Sequence, residues 1–185
     1  LQPSKRGAIL ELMYAGVRTE LIWKDSVNPY GLGIDVNRVH KRATEGNFKL
    51  KPDIFSSYLA TFYYDMPNRW NIKIDAGKYL AGDYGATLSV ARDFNNGWEI
   101  GAFATLTDVK FSTYGEGSFD KGITLKAPLN WFTGRKSQGM RNTVLTPISG
   151  DGGAKLSLED EKYLYSNLKA YDKNEFQNNW KRVFR

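Results

Sequence analysis

The 185-residue chain contains no cysteine. A disulfide framework and a thiolate metal site are therefore excluded, and the compartment is left open. Histidine occurs once, at His40, beside Arg38, Lys41 and Arg42. A histidine-dependent triad or a zinc site is not expected from one solvated imidazole. Long apolar runs are missing too: none approaches the roughly 20 residues that a spanning helix requires. An initiating methionine and a signal peptide are also lacking. Leu1-Gln2-Pro3-Ser4 reads as the interior of a longer chain, so a fragment or processed piece is expected. Gly134-Arg135-Lys136-Ser137 lacks the glycine that precedes lysine in a phosphate loop. Gly150-Asp151-Gly152-Gly153 lacks the repeated acids of a calcium loop. No cofactor and no metal are expected. Nor is one sign of charge gathered in blocks. Lys and Arg total 26 against 20 Asp and Glu, and the net charge of +6 is interleaved. Such a balance permits contact with phosphate, lipopolysaccharide or acidic sugars and specifies none of them. It alone favours nucleic acid, which is not expected as a partner.

What the chain does have is alternation, over a length that suits one domain with a sizeable core. Trp98, Ile100, Ala102, Ala104 and Leu106 alternate with Glu99, Gly101, Phe103, Thr105 and Thr107. Ile123, Leu125, Ala127 and Leu129 alternate with Thr124, Lys126, Pro128 and Asn130. The same pattern runs through Val17–Lys24, Leu32–Asn37, Trp70–Gly77 and Ala86–Ala91. Period two sends successive side chains to opposite faces of a sheet. Phe55–Tyr64 reads as a strand with aromatics on both faces. Ala8–Lys24 reads as a strand or strand pair broken near Ala15-Gly16, and Thr143–Ile148 as an edge strand. Lys41–Asp53 reads as a loop. Asp93-Phe94-Asn95-Asn96-Gly97 reads as a hairpin turn in which Asn-Gly accepts the positive φ of a primed turn. Eight or nine strands result, spaced as in all-β barrels and sandwiches.

Barrels and sandwiches both alternate, and they differ in which face is wet. A soluble sandwich hides its apolar face and shows its charges. A membrane barrel turns its apolar face to lipid and lines its lumen with charge. Arg18, Glu20, Asp35, Lys73, Asp75, Glu99 and Lys126 share the non-apolar face, which suits either. Strands over 97–108 and 119–132 have the 9–11 residues or more of a tilted spanning strand. Trp23, Trp70, Trp98 and Trp131 fall at strand ends in phase with the apolar face, as an aromatic girdle would. Aromatic residues make up 14% of the chain, including 11 Tyr and 5 Trp, which suits a membrane interface or sugar stacking. A mean hydropathy of −0.50 does not argue against a barrel, whose strands spend half their residues on a polar interior.

The ending changes period. Ser157 caps a predicted helix with Glu159, Asp160 and Glu161 in its first turn. Leu164, Leu168 and Tyr171 form one helical stripe, and Phe176, Trp180 and Phe184 a second. A helix docked on the sheet, a membrane-surface helix and a plug all fit. The division is a β portion over 1–156 and a helical segment over 157–185.

Several stretches resemble one family in order. They are Ala15-Gly16-Val17-Arg18-Thr19-Glu20-Leu21, Gly77-Lys78-Tyr79-Leu80-Ala81-Gly82-Asp83, Arg92-Asp93-Phe94-Asn95-Asn96-Gly97-Trp98 to Thr105, and Gly115-Glu116-Gly117-Ser118-Phe119-Asp120-Lys121-Gly122. The chain is similar over about 15–155 to the YjbH-like exopolysaccharide proteins, which include the GfcD-like capsule proteins. The resemblance implies an outer-membrane β-barrel lipoprotein that assists production or export of an extracellular polysaccharide. The implied fold is an all-β, antiparallel up-and-down outer-membrane-type barrel, or a portion of one, with a C-terminal helical segment. The implied location is the bacterial outer membrane. Its implied partners are polysaccharide, outer-membrane lipid, and other polysaccharide-export proteins or the remainder of a longer chain. Family chains are several times longer and begin with a lipoprotein signal. The lipidated cysteine is not in this sequence, so lipid anchoring is not carried over. Phe184 is penultimate, not the terminal aromatic of common bacterial barrels. The resemblance brings no catalytic residues, and an enzyme is not expected. A soluble periplasmic β-domain that binds polysaccharide is the alternative.

Candidates for a polysaccharide path are the strand charges Arg18, Glu20, Lys73, Asp75, Glu99 and Lys126, which also suit cross-strand pairing. Tyr79, Tyr84 and Phe103 are candidates for stacking on sugar rings, or for aromatic packing. Glu116, Asp120 and Lys121 complete the set from the glycine-flanked loop, where Asp120 and Lys121 also suit a structural pair. Glu116 and Asp120 could serve a glycosidase only at set separations across a bond.

Overall fold

The structure, a computed structural model, describes residues 2–11, 14–25, 27–42, 50–108, 119–129, 140–145, 153–156, 164–165 and 168. Nine strands form one sheet: β1 (Gln2–Glu11), β2 (Tyr14–Lys24), β3 (Tyr30–Arg42), β4 (Leu50–Met66), β5 (Trp70–Lys78), β6 (Tyr84–Asp93), β7 (Glu99–Thr107), β8 (Asp120–Pro128) and β9 (Met140–Leu145). Their spatial order is their sequence order, and every neighbouring pair is antiparallel. The chain is therefore an all-β meander. Among the described residues β1 and β9 do not pair, so the expected closed barrel is not formed by these nine strands alone. Strands of a meander reverse at each step, so β1 and β9 run in the same direction and lack an antiparallel match.

Several boundaries differ from the sequence reading. The break in Ala8–Lys24 falls between Glu11 and Tyr14, because Ala15 and Gly16 stay in register with His40 and Val39. The charged stretch read as a loop over Lys41–Asp53 is partly strand, since β3 and β4 remain paired out to Arg42 and Leu50. Polar side chains there do not stop a ladder whose backbone groups have partners. The β6–β7 turn is a three-residue loop, closed by Phe94 N–H donating to Trp98 O at 2.8 Å. The hairpin turn expected over Asp93–Gly97 is therefore present, but only Gly97 takes positive φ there (+87°), whereas a primed Asn-Gly turn needs it at both residues. The last strand ends at Leu145, ahead of Pro147, which has no N–H to offer a ladder. Trp131 and residues 115–118 lie outside the described residues.

The two faces of the sheet carry opposite chemistry. One presents Val17, Leu32, Ile34, Val36, Phe62, Ile74, Leu88, Ile100, Leu106 and Ile123, all exposed. Leu88 is 48% and Ile100 46% accessible. Aromatics mark the rims of this apolar face. Trp23, Tyr30, Tyr64 and Trp70 lie at one rim, where Trp23 and Tyr30 rings are 6.0 Å apart and Arg92 stands 5.6 Å over Trp70. Tyr58 and Tyr84 lie at the other, each in register with Lys78. Trp98 is half-buried in the β6–β7 loop.

The opposite face is covered. Arg18, Asn37, Ser57, Thr61, Asp75, Thr87 and Thr105 are buried on it. Two apolar clusters anchor the covering chain. Leu156 joins Val39 and Leu80, with Tyr14 and Phe55 packed alongside. Leu164 and Tyr165 join Ile22 and Tyr63, with Leu168 against them. Leu164, Tyr165 and Leu168 are helical, and the i, i+4 pair Leu164 and Leu168 meets the same cluster. The rest of 157–185 lies outside the described residues. No helix among the described residues is long and apolar enough to cross a membrane, which says nothing of crossing by strands.

Candidate functional site

The polar face owes its position to the period of two. In β3, Ile34 and Val36 point one way, so Asp35 and Asn37 point the other. In β5, Ile72 and Ile74 likewise commit Lys73 and Asp75 to the polar side. Register then sets the neighbours. Arg18 of β2 lies opposite Asn37, Glu20 opposite Asp35, and Asp75 opposite both Thr61 and Thr87.

Two ionic groups result. Arg18 pairs with Asp35, and its guanidinium stands 4.0 Å from Glu20. Asn37 Nδ2 donates to Asp35 at 2.7 Å and to Ser57 Oγ at 3.0 Å. Asp75 centres the second group and is only 2% exposed. It accepts from Thr61 Oγ1 at 2.7 Å and from Lys155 Nζ at 2.5 Å, and Lys73 Nζ stands 3.2 Å away. Burial would penalise this carboxylate heavily, so two ammonium groups and a hydroxyl converge on it. Farther along, Glu99 pairs with Lys126 at 3.2 Å. A hydroxyl chain runs from Tyr79 to Thr87 (2.6 Å) and on to Thr105 (2.9 Å). Burial pushes the Tyr79 hydroxyl above the usual tyrosine range, with the Thr87 bond opposing that shift, so it remains neutral.

A short strap of residues 153–156 crosses this face. Gly153 N–H donates to Asp83 at 2.7 Å, and Leu80 N–H donates to Ala154 O at 3.0 Å. Lys155 reaches Asp75, and Leu156 enters an apolar cluster. Gly153 has φ +73°, and a Cβ there would lie 2.3 Å from Thr105 Cγ2, so the backbone lies flat on β7. Tyr165 stacks on Tyr63 at 4.0 Å and donates its hydroxyl to Asp65 at 2.8 Å. Between strap and sheet lies a polar cavity lined by Arg18, Asp35, Asn37, Ser57, Lys73 and Asp75. Arg18 Nε and Asn37 Oδ1 have no hydrogen-bond partner among the described residues. Carboxylates, ammoniums and hydroxyls line it in near balance, and its free volume of about 20 Å³ suits one or two water molecules.

Of the expected path residues, Arg18, Glu20, Lys73 and Asp75 come together around this cavity. Glu99 and Lys126 form their own pair on the same face. Tyr79 is fully buried, and Phe103 is half-buried beside Gly122. Asp120 is in register with Thr105, on the polar side. Tyr84 and Lys121 are exposed and in register with Lys78 and Ala104 respectively, so both belong to the apolar face. Lys121 lies 4.9 Å over the Phe119 ring. Glu116 lies outside the described residues. The sequence reading missed Ser57 and Thr61, although alternation with Tyr58 and Phe62 marked them, and it set Asn37, Thr87 and Thr105 opposite the apolar residues without counting them in the path. Asp35 was placed on this face but not among the path residues. Lys155, 80 residues from Asp75, carried no signal. Among the described residues no three of His, Cys, Asp and Glu gather as metal ligands.

The family described as exopolysaccharide biosynthesis protein YbjH matches residues 5–170. An Escherichia coli (strain K12) protein described as uncharacterized lipoprotein YjbH is 30% identical over 166 residues. That alignment takes in 85% of this chain and 23% of the relative, so the chain spans about a quarter of the relative's length. No solved structure matches the chain.

Proposed function

This chain belongs to the YjbH exopolysaccharide biosynthesis family, and from that premise we propose that it is part of an outer-membrane β-barrel assisting production or export of an extracellular polysaccharide. The carrying observation is the inverted polarity of the sheet: Leu88 and Ile100 are exposed while Asp75, Thr87 and Arg18 are buried. A contiguous apolar face of this extent is rare on a monomer in water and suits hydrocarbon. β5 runs from Trp70 at one rim to Lys78 at the other, about 27 Å of extended chain. At a tilt of about 40° that spans roughly 20 Å, near the apolar band of an outer-membrane barrel. The aromatic rims suit its two interfaces. The lipoprotein named among the relatives supports association with a membrane. The mixed-charge face is then the polar interior, and the proposed role is a path or scaffold for the polysaccharide without catalysis. Within it, the strap and the helical residues Leu164, Tyr165 and Leu168 cover part of that interior. The soluble alternative would leave the whole apolar face in water.

The test is complementation of a deletion strain with the full-length protein and with Leu88→Arg. Wild type should fractionate with the outer membrane, require detergent, and restore extracellular polysaccharide. Leu88→Arg should lower both the membrane fraction and the exported polymer. Purification of wild type as a compact monomer without detergent, with polysaccharide unaffected by its deletion, would contradict the proposal.

A further inference from the structure

We propose that the sheet is completed by an odd number of β-strands from the larger protein of which it is a part, inserted antiparallel between β9 and β1, and not by a second copy of this chain. The first argument is direction. Nine meander strands leave β1 and β9 running the same way, and single-chain bacterial outer-membrane barrels use even numbers of antiparallel strands. One added strand, or any odd number, restores antiparallel pairing at both seams. Direct closure of β9 on β1 would be parallel, and no such pairing exists among the described residues.

The second argument is the edge itself. Natural sheets protect exposed edges with charge, proline or a bulge. The edge strand β1 carries Pro3, Lys5 and Arg6, whereas β9 has the single charge Arg141, and its Thr143, Val144 and Leu145 carry neither charge nor proline. Val144 is in register with Thr124 on the polar face and is 50% exposed, while Leu145 is in register with Ile123 on the apolar face and is 63% exposed. Apolar groups bare on both faces of one strand fit a strand that has a neighbour.

Symmetry excludes a second copy. A copy related by rotation about the membrane normal keeps its strand directions, so its β1 would meet β9 in parallel. A copy related by an in-plane twofold would pair antiparallel but would be inverted across the bilayer. This exclusion and the even-number rule both rest on the membrane reading above; the shared direction of β1 and β9 does not. The added strands come from outside these residues, and the relative, of which only 23% aligns here, has chain enough to supply them.

The experiment places a photoreactive amino acid at Val144, and separately at Thr143, in the full-length protein in its native membrane. Cross-linked peptides are identified by mass spectrometry in cells also expressing an epitope-tagged second copy. The expected product is an intramolecular link to a peptide outside this 185-residue stretch. A link to Gln2–Glu11, a link to the tagged copy, or no link together with ready modification of Val144→Cys by a water-soluble maleimide would overturn the proposal. Loss of the membrane reading would instead register as detergent-free solubility, which these links do not measure.

Discussion

Replacing Asp75 with asparagine should be the most damaging single change on the polar face, although it keeps the side chain's shape. Asp75 is 2% exposed and balances Lys73 at 3.2 Å and Lys155 at 2.5 Å. Asparagine removes the charge that two partly buried ammonium groups share. Breaking a buried ion pair from one side costs about 3–5 kcal/mol. Lys155→Met is milder, because Asp75 keeps Lys73 and the Thr61 hydroxyl; a lost charged hydrogen bond is about 1.5–3 kcal/mol. The double variant sets one ammonium group, Lys73, against the neutral amide in place of two. It should therefore be less destabilised than the sum of the single variants, with a coupling on the order of 1–2 kcal/mol. Urea midpoints of the detergent-solubilised full-length protein measure all three. Limited proteolysis should also show cleavage within 153–156 rising in both Lys155→Met and Asp75→Asn. Asp75→Asn within about 1 kcal/mol of wild type, or Lys155→Met worse than Asp75→Asn, would refute the reasoning.

Three further outcomes follow from the same contacts. Tyr79→Phe removes the hydroxyl bonded to Thr87, which keeps Thr105, and should cost about 1 kcal/mol, read as a lowered thermal midpoint. Gly153→Ala sets a Cβ against Thr105 at positive φ and should unseat the strap, seen as faster proteolysis near residue 153 with the sheet's far-ultraviolet spectrum unchanged. Leu88→Arg on the apolar face should cost about 2–4 kcal/mol of membrane stability, and Ser89→Arg on the other face should follow a different course, disturbing the interior without weakening lipid contact; refolding into lipid vesicles compares them.

Much of this architecture was legible because a strand writes its two faces into alternate residues. Ile72 and Ile74 against Lys73 and Asp75 sufficed to place that quartet, and the same rule placed Arg18 and Glu20. It did not place Tyr84 or Lys121 among the polar residues, and the register assigns both to the apolar face. Turn chemistry was legible only in part: Asn96-Gly97 signalled a turn, yet the positive φ falls on Gly97 alone. Boundaries such as Arg42 and Leu50 were hidden because charged residues extend a ladder as well as apolar ones do. The strap was not legible at all. Gly153, Ala154, Lys155 and Leu156 have no periodicity, and their partners Asp83, Leu80, Asp75 and Val39 lie 70 or more residues away.

The account depends on hydrocarbon against the apolar face. These 185 residues hold no cysteine, so a nitroxide scan of β6 needs only cysteines outside them replaced, with one label at each of residues 84–92 of the full-length protein refolded into lipid vesicles. Collision with lipid-dissolved oxygen should oscillate with period two, high at 86, 88 and 90 and low at 87, 89 and 91. Oxygen collision that is flat along β6, or even-numbered positions quenched by an aqueous nickel reagent instead, would contradict it.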